Sequence, residues 1–322
     1  MMRTHAEGTA TMTGSPPVLA VLATGGTIAS RRGADGAARP SLSGRDLLAL
    51  VPPMQVELRP REVLAKDSAS LTLADMQAIS DAVGAQLADP AIDGVVVLHG
   101  TDAMEETALL VQLQHQPAKR VVFTGAQFAA DHPQSDGPRN LADALGAAMA
   151  PGRGVSLVFG GRALPAWGLY KEASDSPEAF ERAAEEEPSL DRALPAPVAG
   201  LRVDIVATHP GSDGLHLDAS LSAGARGIVI SAMGSGNATP ELVAAIARAR
   251  AQGVPVVVSS RVPRGLLAPI YGGGGGGHDM RRAGAIHARI LRPGQARILL
   301  AALLANGCPE AEIARAFEAG PD

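Results

Sequence analysis

The chain has 322 residues, enough for two domains of ordinary size and a sizeable buried core. Hydrophobic residues make up 46% and charged residues 19%, which argues against a disordered chain. A net charge of −5, without any Lys/Arg cluster interleaved with aromatics, argues against a nucleic-acid partner.

Residues 1–16 are expected to form a floppy tail, because the stretch up to Pro17 is small and polar and lacks a basic segment followed by an apolar one. The first apolar run, residues 18–23, is too short to span a bilayer and reads as a buried strand. Export and a membrane anchor are therefore not expected, and the protein is expected to be cytoplasmic. Its single cysteine, Cys308, suits a reducing compartment and leaves no intramolecular disulfide. No Cys/His cluster has zinc spacing, and neither a metal nor a cofactor is expected.

Further apolar runs at 94–98, 120–123 and 155–159 read as strands buried on both faces. Between them Leu73, Met76, Ile79, Val83 and Leu87 recur every three or four residues, one helical stripe, with Thr72 and Asp75 as a capping box. A second helix is expected over about 103–114, and a third after Pro138. Residues 185–200 break the rhythm with an acidic run, three prolines and a glycine, the composition of a linker. Beyond it, strands are expected at 202–208, 227–231 and 254–259, with helices at 241–252, 296–306 and 309–318. The six glycines 272–277 read as a mobile loop, followed by a solvated His278-Asp279. The expected fold is two α/β domains with largely parallel sheets: a larger N-terminal domain at 17–185, a linker at 186–201 and a smaller C-terminal domain at 202–322.

Three segments could carry chemistry. Ala23-Thr24-Gly25-Gly26-Thr27-Ile28-Ala29 follows the first strand, where open α/β sheets bind ligands, and it offers two hydroxyls to the crevice. It has neither a phosphate-loop ending nor a dinucleotide fingerprint. His99-Gly100-Thr101-Asp102-Ala103-Met104-Glu105-Glu106 follows another buried strand. Taken by itself, Asp102 with Glu105 three residues on reads first as a helix N-cap, and His99 as a satisfied structural histidine. Lys171 is one of only three lysines in a chain that otherwise uses arginine, and only lysine can give up a proton near neutral pH; Lys66 and Lys119 qualify equally on that ground. Trp167 and Leu169 read as packing residues.

The first two segments, together with Asp136-Gly137-Pro138, Gly234-Ser235-Gly236-Asn237 and Ser259-Ser260-Arg261-Val262-Pro263, resemble the bacterial L-asparaginase family over nearly all of the chain beyond the tail. The resemblance implies hydrolysis of L-asparagine to L-aspartate and ammonia through an acyl-enzyme, with weaker action on glutamine. It implies Thr27 as the nucleophile, and a second cluster in which Lys171 tunes Thr101 while Asp102 holds the substrate's α-amino group. It implies Ser68 on the α-carboxylate, Asn237 reaching a neighbouring subunit's site, and a homo-oligomer, typically a tetramer of intimate dimers. The chain departs from the family pattern in having no Tyr between Ile28 and Val51, Ala69 where many members carry Gln, and no clear acidic match around 268–279. The lid, roughly 31–42, offers Arg31, Arg32, Asp35 and Arg39 instead. Two other readings follow: a sensor that kept the amino-acid pocket and lost turnover, and an amidotransferase component acting on an aminoacyl-tRNA.

Overall fold

A computed structural model describes residues 15–185 and 190–318. Most of the expected tail, and residues 186–189 of the expected linker, lie outside the described residues. In chain order β1 (Val18–Gly25) leads into a short hairpin, β2 (Ser30–Arg32) and β3 (Ala38–Pro40). Then come α1 (Gly44–Leu48), β4 (Glu57–Lys66), α2 (Leu73–Ala88), β5 (Gly94–Leu98), α3 (Met104–His115), β6 (Arg120–Thr124), α4 (Gly137–Met149), β7 (Gly154–Phe159) and β8 (Arg162–Pro165). A second hairpin, β9 (Leu169–Lys171) and β10 (Phe180–Arg182), ends this part. The C-terminal part runs β11 (Val203–Ala207), α5 (Leu215–Ser222), β12 (Gly227–Ala232), α6 (Pro240–Ala251), β13 (Val256–Ser260), α7 (Gly277–Arg282), β14 (Ile286–His287), α8 (Pro293–Ala305) and α9 (Glu310–Glu318).

The larger sheet has the order β4-β1-β5-β6-β7-β8, parallel except for its antiparallel edge β8. Its central strands are largely apolar because helices cover both faces. Ala20, Leu22, Val95 and Val97 pack on the α2 and α3 side with Ile79, Val83 and Val111. Their alternate neighbours Leu19, Val21, Val96 and Leu98 pack on the α4 side with Leu141 and Leu145. The smaller sheet, β11-β12-β13-β14, is wholly parallel. Leu109, Leu110 and Leu113 of α3 share one core with Ile298–Leu303 of α8, so the two domains are joined by buried leucines, each worth about 1.5–3 kcal/mol of transfer free energy. No described helix is long and apolar enough to cross a membrane.

One expectation changes, and several elements have no counterpart among the expected ones. The last residue of the glycine run begins α7, so His278 and Asp279 lie in a helix and not in a solvated loop. Asp279 Oδ2 accepts hydrogen bonds from the Gly274 and Gly276 amides, at 2.8 and 3.1 Å, and thereby folds the end of the glycine run over the helix start. The strand β4 has no counterpart in the expected elements. It is an edge strand rich in charge and interrupted by Pro60, which an edge tolerates because one side of its backbone needs no ladder partner.

Candidate active site

Neighbouring parallel strands open their carboxyl ends on one edge of the sheet, so β4, β1 and β5 deliver Ser68, Thr27 and Thr101 side by side. Close backbone packing ties the three loops together. Gly25 and Gly26 have φ of +97° and +82°, conformations that glycine adopts without a Cβ penalty. A Cβ on Gly25 would lie 2.5 Å from Lys66 O, and one on Gly100 would lie 2.5 Å from Ser68 Oγ. The turn after Gly26 is a single 3-10 turn, Thr27–Ala29, which leaves Thr27 half-buried at its start.

Hydrogen bonding separates the two threonines of the first segment. Thr24 does not present its hydroxyl to the crevice. It donates to Leu98 O at 2.9 Å and stitches β1 to β5 in the interior. Thr27 carries the hydroxyl available at the loop. The Gly26 amide is spent on Lys66 O and the Asp102 amide on Ser68 Oγ, both at 3.1 Å. The Thr27 and Thr101 amides have no acceptor among the described residues, and two such donors are what a developing oxyanion needs.

The second cluster comes together across a long separation in sequence. Lys171 Nζ donates to Thr101 Oγ1 and to Asp102 Oδ1, each at 2.7 Å. Asp102 is the more exposed partner, its side chain 52% accessible against 20% for Lys171. The N-cap reading of Asp102 is thereby corrected: α3 is capped by Ala103 without a side-chain bond, and the carboxylate turns to the ammonium instead. The other two lysines are drawn off elsewhere, Lys66 to Asp75 at 2.6 Å and Lys119 to Asp89 O at 2.7 Å.

Beneath this cluster Glu105 carries a buried Oε2 without a partner. Burial pushes its carboxyl up to about 8, against hydrogen bonds from its own and the Lys171 main-chain amides and the attraction of the Lys171 charge. The capping pattern read for Asp102 and Glu105 gives no sign of this, because its cause is tertiary. Glu106 pairs with Arg297 at 2.8 Å. His99 is only half satisfied: Nδ1 lies 2.7 Å from Gly100 O, whereas Nε2 is buried without a partner, the ring being packed beside Phe123. Burial holds it down at about 4, so it is neutral. Trp167 and Leu169 are buried packing residues, as expected.

Not every expected residue joins the cluster. Asn237 lies on the turn after β12, in the C-terminal domain, and makes none of these hydrogen bonds. Tyr271, one of the two tyrosines of the chain and no part of the lid, sits beside the glycine run with 56% of its surface exposed, and its carbonyl accepts from the His278 amide at 2.9 Å. The expected lid is the β2–β3 hairpin, its turn closed by the Arg39–Asp35 pair at 2.6 Å. The hairpin is docked through the Arg32 amide on Asp131 at 2.9 Å. Among the described residues, no cluster of His, Cys, Asp and Glu could hold a metal ion.

The family model described as asparaginase, N-terminal, matches residues 18–192, and that of the glutaminase/asparaginase C-terminal domain matches residues 202–317. A probable L-asparaginase of Deinococcus radiodurans is 35% identical over 96% of this chain and 99% of that protein. A glutamyl-tRNA(Gln) amidotransferase component of Aeropyrum pernix is 30% identical over 83% of this chain and 70% of its own length. The structure of the thermostable L-asparaginase from Thermococcus kodakarensis superimposes with a TM-score of 0.81 at 25% identity, covering 94% of this chain and 97% of that one. The chain belongs to the asparaginase family, as an amidohydrolase of the L-asparaginase type.

Proposed function

We propose that the protein hydrolyses the side-chain amide of L-asparagine to L-aspartate and ammonia, with Thr27 as the nucleophile. The observation that carries this reading is the pair of 2.7 Å contacts from Lys171 to Thr101 and Asp102, formed beside the loop that presents Thr27. An amide carbonyl is a poor electrophile and a threonine hydroxyl a poor nucleophile, so attack needs both a route for the proton and a place for the negative charge. In the first half-reaction Thr27 Oγ1 bonds to the amide carbon and the C–N bond breaks. The hydroxyl proton passes to the departing nitrogen, which leaves as ammonia. Water then attacks the ester, releases the carboxylic acid and returns a proton to Thr27.

In this reading the Thr27 and Thr101 amides receive the oxyanion, and each such donor is worth about 2.7–4 kcal/mol in comparable sites. Because Thr101 Oγ1 accepts from Lys171, its own proton points elsewhere and can be donated towards the leaving nitrogen or the incoming water. Asp102, half exposed, holds the substrate's α-amino group, and Ser68 holds its α-carboxylate. The working form is a homo-oligomer in which Asn237 serves a neighbouring subunit's site, and it acts in the cytoplasm. A fully active monomer at assay concentration, seen by size exclusion alongside the assay, would contradict the oligomer.

Incubation of the purified protein with L-asparagine is expected to release ammonia and aspartate in equal amounts. Aspartate binding with ammonia at only the uncatalysed rate would favour a sensor, a reading prompted by the lid hairpin's lack of tyrosine. The amidotransferase relative prompts a further reading, in which the same site hands its ammonia to a partner. Glutamine turned over in strong preference to asparagine would favour that one.

A further inference from the structure

The two domains meet where α8 packs on α3, and one polar side chain is sealed into that contact. Gln295, in the first turn of α8, is 1% exposed. Its Oε1 accepts from the Gly168 amide at 2.8 Å, and its Nε2 donates to Ala166 O at 2.7 Å and to Glu105 O at 3.0 Å. All three partners are main-chain groups of the N-terminal domain. Ala166 and Gly168 lead directly into β9, whose last residue is Lys171. Glu105 lies in the first turn of α3, which begins just beyond Thr101 and Asp102.

We propose that Gln295 is a positioning residue, the strut through which the C-terminal domain sets Lys171 against Thr101. The proposal rests on the reading that Lys171 and Thr101 work together in catalysis. A primary amide suits the place because it donates twice and accepts within one plane, whereas a carboxylate has no donor and a guanidinium no acceptor. The surrounding contacts run the same way. The Glu106–Arg297 pair braces α3 against α8 close by, and a Cβ on Gly294 would lie 3.0 Å from Glu106 Oε1, so the helices approach closely here. From the far side Arg264, also of the C-terminal domain, donates to Tyr170 Oη at 3.1 Å. Among the described residues the short strand β9 is paired only with β10, and the other domain holds its approach and its Tyr170.

The test is a double-mutant cycle on the full-length protein, with Gln295→Met, Lys171→Met and the double variant, read by ammonia release from L-asparagine. Gln295→Met keeps the side-chain volume and loses the three hydrogen bonds. It is expected to lower kcat about 10- to 100-fold, the scale of a small misplacement of a catalytic group, with KM changed by less than about 2-fold. In the Lys171→Met background it is expected to cost nothing further. Equal fold losses in both backgrounds, or a change in KM alone, would overturn the strut and leave the catalytic reading standing. Unchanged kcat in Lys171→Met alone would overturn that reading and the strut with it. Should Gln295→Met fail to fold, Gln295→Asn retains the amide one methylene short, and the same coupling is expected of it.

Discussion

Gly26 and Gly100 pack backbone on backbone: a Cβ on Gly26 would lie 2.4 Å from Gly100 Cα and 2.5 Å from Gly100 N. That approach brings the loop bearing Thr27 against the loop bearing Thr101. Gly26→Ala therefore meets both a clash and a φ of +82°. The left-handed conformation costs about 1–2 kcal/mol and overpacking about 1–3 kcal/mol, so a loss on the order of 2–5 kcal/mol is expected, together with loss of activity. Urea unfolding with a parallel ammonia assay checks it. A variant within about 0.5 kcal/mol of the parent, the range of neutral surface changes, would show that the loops do not need this contact.

Lys171 makes two contacts through one compact ammonium, and arginine cannot reproduce them because its guanidinium is planar and holds its donors in a fixed fork. Both Lys171→Met and Lys171→Arg are expected to lose about 10²–10⁴ in kcat, the usual range for proton-transfer groups. Circular dichroism should show the fold retained. Full activity in Lys171→Arg would reduce the residue to a carrier of charge.

Glu105 links the site to pH-dependent stability. Its carboxyl titrates at about 8 in the fold, against an ordinary value of 4.5, so between those values the folded protein holds a proton that the unfolded chain releases. The stabilisation present below 4.5 is lost as pH rises towards 8. The buried His99 and His287 act in the opposite sense between about 4 and 6.5, because burial holds both at about 4. Glu106, also raised by burial, acts in the same sense as Glu105, so the difference between parent and variant isolates Glu105. Glu105→Gln is expected to flatten the fall in unfolding free energy between pH 6.5 and 8 by up to about 1.4 kcal/mol per pH unit. Parallel slopes in chemical unfolding for the two proteins would show that Glu105 enters the fold ionised.

Asp136 fastens the loop after β6, the strand next to β5. Its carboxylate accepts from the Gln127 and Phe128 amides at 3.0 Å and from Asn140 Nδ2 at 2.9 Å. Asp136→Ala would strand two amides, at about 1–3 kcal/mol each where they are buried. A drop in thermal midpoint is expected, with a smaller loss of kcat than in Lys171→Met. An unchanged midpoint would mean that water replaces the carboxylate.

Much of this architecture is legible in the sequence, for a physical reason. Strands such as β5 and β6 are buried on both faces and appear as unbroken runs like Val95-Val96-Val97, and Thr72 with Asp75 forms the capping box that its spacing suggests. The charged edge strand β4 is hidden because its sequence is that of a solvated surface. At the site, local spacing misleads. Asp102 and Glu105 have the pattern of a cap; the family resemblance, not the spacing, groups Asp102 with Lys171, and the fold adds their direct contact and the burial of Glu105. Gln295 carries no signal at all, since a lone amide at the start of an apolar helix has the pattern of a solvated terminus until the opposing domain closes over it.

The most direct test of the catalytic account is the rate of ammonia release from L-asparagine by Thr27→Ala, at a protein concentration matched to the parent and with folding verified. Removal of the nucleophile with the surrounding loops intact is expected to lower kcat by at least about 10³-fold, leaving only the oxyanion donors and binding. A rate within a few-fold of the parent would take Thr27 out of the reaction and contradict the account.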